Sequence, residues 1–96
     1  MKHYAWHEEK RRINLKKHGL DFLDADMVLE NPLRLEVDSM RNGECRKQAF
    51  AYVFEVLTVL TVAYIPGKVQ RIISFRPANK KEIEVYYEWL SDTNDA

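Results

Sequence analysis

Three arginines and one tyrosine in the second half of the sequence are suited to chemistry on phosphate groups. Arg46 opens a long segment rich in Phe, Tyr, Val and Thr, Tyr64 closes it, and Arg71 and Arg76 follow the next turn. Guanidinium groups keep their charge and bind phosphate through two parallel donors, so a cluster of them stabilises a phosphoryl-transfer transition state. Pairing within a hairpin would bring Arg46 and Tyr64 together, with Arg71 in reach of Tyr64. The sequence therefore predicts an Arg–Tyr–Arg cluster at one sheet edge.

The spacing of the last two arginines leaves two arrangements open. Arg71 and Arg76 are five positions apart, and strict alternation along a strand places them on opposite faces. They share a site only if the strand twists or ends its regular pairing before Pro77. Otherwise one is structural and pairs with an acid of the last helix, such as Glu82. Strand-end Arg and Tyr side chains also commonly just cover the edge of a core.

Basic side chains are also concentrated in a predicted helix near the N-terminus, residues 8–18. Lys10, Asn14 and Lys17 are spaced to share one helix face, and His18 lies on a neighbouring face. This face could line a path for nucleic acid, and an imidazole can move protons near neutral pH. A solvated surface helix is the alternative explanation for such a charge run.

Other familiar chemistries are not supported by the sequence. His3, His7 and His18 do not have metal-ligand spacing, and Cys45 is the only cysteine. The three glycines are isolated, so there is no glycine-rich phosphate loop. We therefore expect no metal site and no cofactor.

The charges sum to zero but alternate in blocks along the chain. Residues 1–20 carry six Lys or Arg and two Glu, whereas residues 21–45 carry two Arg and seven acids. Residues 46–76 carry five Lys or Arg and one Glu, and residues 77–96 carry two Lys and five acids. A fold that joins the two basic blocks would create a positive patch, and local potential is what attracts a phosphate backbone.

Composition and length predict one domain over residues 1–96. Hydrophobic residues make up 46% and charged residues 31%, which is typical of a globular protein. The N-terminal residues include no apolar stretch typical of a secretory signal, and the longest apolar run is about half a membrane span. We therefore expect a cytoplasmic protein without a membrane segment.

The elements that must position these side chains predict an α+β fold. The pattern indicates a short strand at residues 3–6, a helix at 8–18 ended by Gly19, and a helix at 21–30. Residues 33–37 alternate weakly, 38–44 resemble a turn, and 46–65 form a hairpin turning near 54–55. After a turn at 66–68, a strand spans 69–76 and a helix spans 80–91, capped by Asn79 and Glu82.

Two extended motifs resemble those of BrnT toxins. The first is W-H-x-x-K-x-x-x-N-L-x-K-H-G-x-x-F-x-x-A, from Trp6 to Ala25, and Pro32 follows at the expected place. The second is R-I-I-S-x-R-x-A-x-x-x-E-x-x-x-Y, from Arg71 to Tyr86. The chain departs from the family pattern at His7, Phe75 and Pro77, where Asp, Ala and Arg are usual, and its first hairpin lacks the usual glycine.

The resemblance implies a RelE-like fold of the microbial-ribonuclease kind, a small antiparallel sheet with two N-terminal helices and one C-terminal helix. It implies a type II toxin, an endoribonuclease that cuts RNA without a metal and inhibits translation. It also implies a ribbon–helix–helix antitoxin similar to BrnA, with DNA contacted only through the toxin–antitoxin complex.

Site roles follow from this hypothesis. Arg46, Arg71 and Arg76 would bind phosphate, Tyr64 would orient or donate, and His18 would assist proton transfer. Lys10, Asn14 and Lys17 would line the RNA path. The alternative is a catalytically weak module that only binds its antitoxin within a repressor complex. Direct DNA binding is less favoured, because no helix-turn-helix pattern is present.

Overall fold

Five strands form one mixed sheet in the order β1-β5-β4-β3-β2 in the computed structural model, which describes residues 3–94. The elements are β1 (His3–Ala5), α1 (Glu8–His18), a 3-10 turn (Phe22–Asp24), α2 (Asp26–Leu29), β2 (Leu35–Arg41), β3 (Glu44–Val53), β4 (Thr58–Ile65), β5 (Val69–Pro77) and α3 (Lys80–Asn94). Strands β2 to β5 are antiparallel to their neighbours, and β1 pairs parallel with β5. The α+β class is confirmed, and the parallel β1 makes the sheet mixed.

The N-terminal helical region follows the sequence pattern with one shortening. Helix α1 has the predicted bounds, and Gly19 ends it in the left-handed conformation, with φ +71° and its N–H donating to the Leu15 carbonyl. The second predicted helix is divided into the 3-10 turn and the one-turn α2. The Asp21 carboxylate caps this segment by accepting from the Leu23 N–H.

The prediction of a turn over residues 38–44 was wrong. Strand β2 continues to Arg41, and only Asn42 and Gly43 form the turn, with φ of +53° and +77°. An Asn-Gly dipeptide is the strongest short hairpin signal, because both residues tolerate positive φ. Recognising this dipeptide as the turn would have extended the predicted strand to Arg41. The other two predicted turns are confirmed, at residues 54–57 and 66–68.

Helices cover both faces of the sheet. On the face that we call the α2 face, residues of β3, β4 and β5 pack with the 3-10 turn and α2 into the larger core. On the opposite α3 face, Phe50 and Val59 pack with Tyr86. The predicted capping of α3 is confirmed, since Glu82 N–H donates to Asn79 Oδ1 and Asn79 N–H donates to Glu82 Oε1, both at 2.8 Å.

A β-bulge in β5 decides which side chains share a face. Ala63 lies opposite Ser74 but Tyr64 lies opposite Ile72, so Ile73 is one extra residue in β5. The bulge shifts the alternation by one. Ile72 and Phe75, three positions apart, therefore both enter the α2-face core. Of the two arrangements that their spacing left open, Arg71 and Arg76 adopt the one with a shared face, because the bulge lies between them.

Candidate functional site

A groove on the α3 face brings two of the predicted arginines together. Its lining residues are Ser39, Met40, Arg41, Arg46, Lys47, Gln48, Ala63, Ser74 and Arg76, and we call it the basic groove. Gln48, Ala63 and Ser74 are consecutive partners across β3, β4 and β5 and form a row between Arg46 and Arg76. Ala63 and Ser74 are small, so this row leaves room for a bulky anion between two guanidinium groups.

A second cavity lies between α1 and the bulge of β5. It is lined by Lys10, Ile13, Asn14, Lys17, His18, Ile73 and Ser74. Ser74 also lines the basic groove, so the two concavities meet at this residue. We call the combined surface the basic face. It contains basic residues from both basic blocks of the sequence.

Arg76 is held by a carboxylate of α3. Its Nη1 and Nη2 donate to Glu82 Oε1 and Oε2 at 2.8 and 3.0 Å, and Gln48 Nε2 also donates to Glu82 at 3.3 Å. The Arg76 hydrogen bonds lower the pKa of Glu82 against the opposing effect of burial, and Glu82 in turn raises the pKa of Arg76. Arg76 is thus fixed in orientation and part of its charge is compensated. This pairing with Glu82 was one of the two predicted alternatives.

The other arginines are less constrained. Arg46 donates from Nε to Glu44 on its own strand at 3.2 Å, and its side chain is 25% exposed. Arg71 lies opposite Ile65 on the same sheet face, is exposed, and is outside the groove lining. It lies two strands from Arg46, roughly 10 Å away. Neither Arg41 nor Arg71 forms an ion pair within residues 3–94.

Tyr64 is not gathered with these arginines. The residue opposite it in β3 is Lys47 and not Arg46, and a shift of one residue reverses the face. Tyr64 is buried in the α2-face core, and its hydroxyl donates to Glu36. Burial and this hydrogen bond raise the pKa of Tyr64. The predicted Arg–Tyr–Arg cluster is therefore wrong in its geometry.

Asn14 forms hydrogen bonds to the backbone of β5 along the edge that does not pair with β4. Its Nδ2 donates to the carbonyls of Phe75 and Leu20 at 2.7 and 3.0 Å, and its Oδ1 accepts from the Phe75 N–H at 3.1 Å. Among residues 3–94 this edge has no strand neighbour beyond its pairing with β1, so the Asn14 amide takes the place of one. The Asn14 side chain thus fixes α1 beside the bulge. Lys10 and Lys17 are exposed and His18 is half-buried, so these three side chains can contact a ligand.

Seven of the nine residues that line the basic groove were missed by sequence reasoning. Four of them are Arg41, Lys47, Gln48 and Ser74, and of these only Ser74 stood inside a quoted motif. The Asn-Gly turn was the available signal for Arg41, because it makes residue 41 the end of a strand facing the start of β3. No local sequence pattern indicated the bulge that brings Ser74 to the α3 face.

The departures from the family pattern do not enter the groove. Phe75 and Pro77 pair with Val62 and Leu60, which belong to the α2-face core. His7 is the N-cap of α1, and its side chain makes no capping hydrogen bond there. An aspartate at this position would be the stronger cap.

Within residues 3–94 no group of three or more His, Cys, Asp or Glu side chains could hold a metal ion. Over the same residues no helix combines the length and the apolar character that crossing a membrane requires.

Comparison with known proteins gives one result. No curated protein matches the chain. The sequence model described as "Ribonuclease toxin, BrnT, of type II toxin-antitoxin system" matches residues 6–82, which include α1 and every residue that lines the basic groove. Membership of a type II system implies a protein antitoxin as partner. On this match over most of its length, the chain belongs to the BrnT family of ribonuclease toxins.

Proposed function

We propose that this chain is a metal-independent endoribonuclease whose active site is the basic face around Ser74. The observation that carries the proposal is the meeting of two cavities at that residue. One cavity supplies Arg46 and Arg76, and the other supplies His18, Lys10 and Lys17. A scissile phosphate at Ser74 would therefore have groups that stabilise transition-state charge on one side and groups that can transfer protons on the other.

The reaction that fits these groups is attack of the substrate's own 2′-hydroxyl on the adjacent phosphorus. The 2′-oxygen–phosphorus bond forms and the bond to the 5′-oxygen breaks, leaving a 2′,3′-cyclic phosphate and a 5′-hydroxyl. Arg46 and Arg76 would bind the non-bridging oxygens, whose charge increases in the transition state. His18 would accept the 2′-hydroxyl proton or give one to the leaving oxygen.

The remaining predicted residues receive supporting roles. Lys10, Lys17 and Arg71 are exposed and would contact phosphates along the strand on either side of the cleaved bond. Asn14 and Tyr64 would position the elements around the site and not contact RNA themselves. The amide of Asn14 is hydrogen-bonded to the Phe75 backbone, and the hydroxyl of Tyr64 is hydrogen-bonded to Glu36. Arg41, at the rim of the groove, would add to the positive potential.

In the cell, we infer that the chain cuts RNA in the cytoplasm and inhibits translation. Its partner would be a ribbon–helix–helix antitoxin similar to BrnA, and contact with DNA would come through that protein. These statements follow from the family and from the basic face.

The products of cleavage test the reaction. The purified chain should cut RNA in the presence of EDTA and leave cyclic phosphate and 5′-hydroxyl ends. An RNA with a single 2′-deoxy nucleotide at a mapped site should resist at that site only, because the nucleophile has been removed. Products with 5′-phosphate ends, or cleavage abolished by EDTA and restored by a divalent ion, would contradict the mechanism.

One observation favours a second reading, an antitoxin-binding module with weak catalysis. Arg46 and Arg76 each contact a carboxylate, Glu44 and Glu82, which reduces the charge available to a phosphate. Expression without antitoxin separates the two readings. Growth arrest that the antitoxin relieves supports the ribonuclease, and harmless expression with tight antitoxin binding supports the module.

A further inference from the structure

The loop between β3 and β4 exposes large apolar side chains. Phe54 is 78% exposed, Leu57 is 69% exposed and Val56 is 45% exposed, all within the four residues 54–57. We call these residues the hairpin tip. A hairpin loop of this length is ordinarily polar, because its side chains have no core to enter. Three neighbouring apolar side chains in solvent contribute little to the stability of the fold itself.

Leu57 is also unfavourable for the backbone. It adopts φ +56°, in the left-handed region, where its N–H and that of Val56 both donate to the Val53 carbonyl. Glycine or asparagine is the usual choice there, since a Cβ is disfavoured. The β2–β3 hairpin of the same chain uses Asn42 and Gly43 for its two positive φ values. Leucine at position 57 thus carries both a backbone cost and a solvation cost.

A cleft with an acidic rim adjoins the hairpin tip. It runs between α2 and the end of β3, and its lining residues are Asp26, Met27, Glu30, Asn31, Pro32, Tyr52, Val53, Phe54 and Glu55. Three of these are acids and none is Lys or Arg. Glu30 accepts from the Tyr4 hydroxyl, whereas Asp26 and Glu55 form no ion pair within residues 3–94.

We propose that the hairpin tip and this cleft bind a basic segment of the antitoxin that presents apolar side chains. The carboxylates select a cationic partner and repel RNA, and the apolar side chains supply the contact area that a peptide segment would bury. The hairpin tip lies at the far end of β3 from Arg46, about 25 Å away along the strand. Antitoxin docking here is therefore separable from RNA contact at the basic face.

This inference depends on the antitoxin partner implied by family membership and not on the proposed RNA chemistry. Each can fail alone. Loss of RNA cleavage in groove variants would leave antitoxin binding at the hairpin tip untouched, and the reverse also holds.

Binding of the full-length purified antitoxin to variants of the whole chain tests the proposal. Leu57→Gly should raise Tm by about 4 °C or more, because a backbone cost is removed. It should nevertheless weaken antitoxin binding at least tenfold and leave RNA cleavage unchanged. Binding within twofold of the original chain would overturn the proposal.

Two matched comparisons sharpen the result. Val56→Ala should weaken binding, whereas Val85→Ala, which removes a similarly exposed side chain (48%) from α3, should not. Glu55→Lys should weaken binding more at low salt than at high salt. Equal losses for Val56→Ala and Val85→Ala would overturn the proposal. So would a dimer of the chain alone that Leu57→Gly dissociates, because a second copy would then be the occupant.

Discussion

Replacing Arg46 with alanine is expected to lower the rate of RNA cleavage about 100-fold, the usual effect of removing one preorganised transition-state donor. Arg46 lines the basic groove, and its only ion pair among the described residues is with the half-exposed Glu44 on the same strand. Such a pair contributes little to folding. The thermal unfolding midpoint should therefore change by no more than a few degrees, and the loss should appear in single-turnover cleavage.

Two variants control this result. Arg12→Ala removes an arginine of α1 that lies outside both cavities and is 70% exposed, and it should retain full cleavage. Arg46→Lys keeps the charge but loses the planar pair of donors, so its rate should fall between the other two. If Arg46→Ala cleaves RNA as fast as Arg12→Ala, the basic groove is not the catalytic site.

Asn14→Ala should lower the free energy of unfolding by about 3 kcal/mol, because it leaves the N–H and C=O of Phe75 without partners in a buried setting. Asn14 is only 7% exposed, and its side-chain amide forms three hydrogen bonds with the backbone. For a domain of this size, the loss corresponds to a Tm decrease of roughly 12 °C or more. Chemical or thermal denaturation measures it directly.

Lys17→Ala provides the contrast on the same helix. Lys17 lines the same cavity but is exposed, so its loss should leave Tm unchanged and weaken RNA binding. One lost phosphate contact should reduce the slope of log affinity against log salt by about one. A Tm unchanged in Asn14→Ala, with RNA affinity reduced as in Lys17→Ala, would restore Asn14 to the RNA path and contradict the positioning role.

Much of the fold could be predicted because its signals are local. Gly19 ends α1, Asn79 and Glu82 cap α3, and a Pro-Gly pair turns the chain between β4 and β5; each acts within a few residues. The bounds of α1, the start of α3 and the turn at residues 66–68 followed from such signals. The signal for the β2–β3 hairpin, its Asn-Gly turn, is equally local but was not recognised.

The candidate site was harder because it depends on pairing register, which is not a local property. An extra residue at Ile73 brings Arg71, Ser74 and Arg76 to one face, and no residue type near it marks a bulge. Likewise, Tyr64 was assigned to the site by assuming that it faces Arg46, when its partner is Lys47. A one-residue error in register transfers a side chain to the other face of the sheet.

The grouping of charged side chains is apparent only in the folded structure. The net charge is zero, yet Arg41, Arg46 and Arg76 line the basic groove, while Asp26, Glu30 and Glu55 surround the cleft at the hairpin tip. Basic side chains are thus concentrated in the groove and acidic side chains around the cleft, whichever block of the sequence they come from. The groove suits a polyanion and the cleft suits a cationic protein segment.

The most direct test of the central claim is to map where RNA binds. An oligonucleotide methylated at every 2′-oxygen cannot supply the nucleophile, so it can be titrated into the isotopically labelled chain without being cleaved. If RNA binds the basic face, the amide resonances of Gln48, Ala63 and Ser74 shift together with those of Lys17 and His18. Shifts confined to the hairpin tip or to the far side of α3, with these five residues unaffected, would contradict that claim.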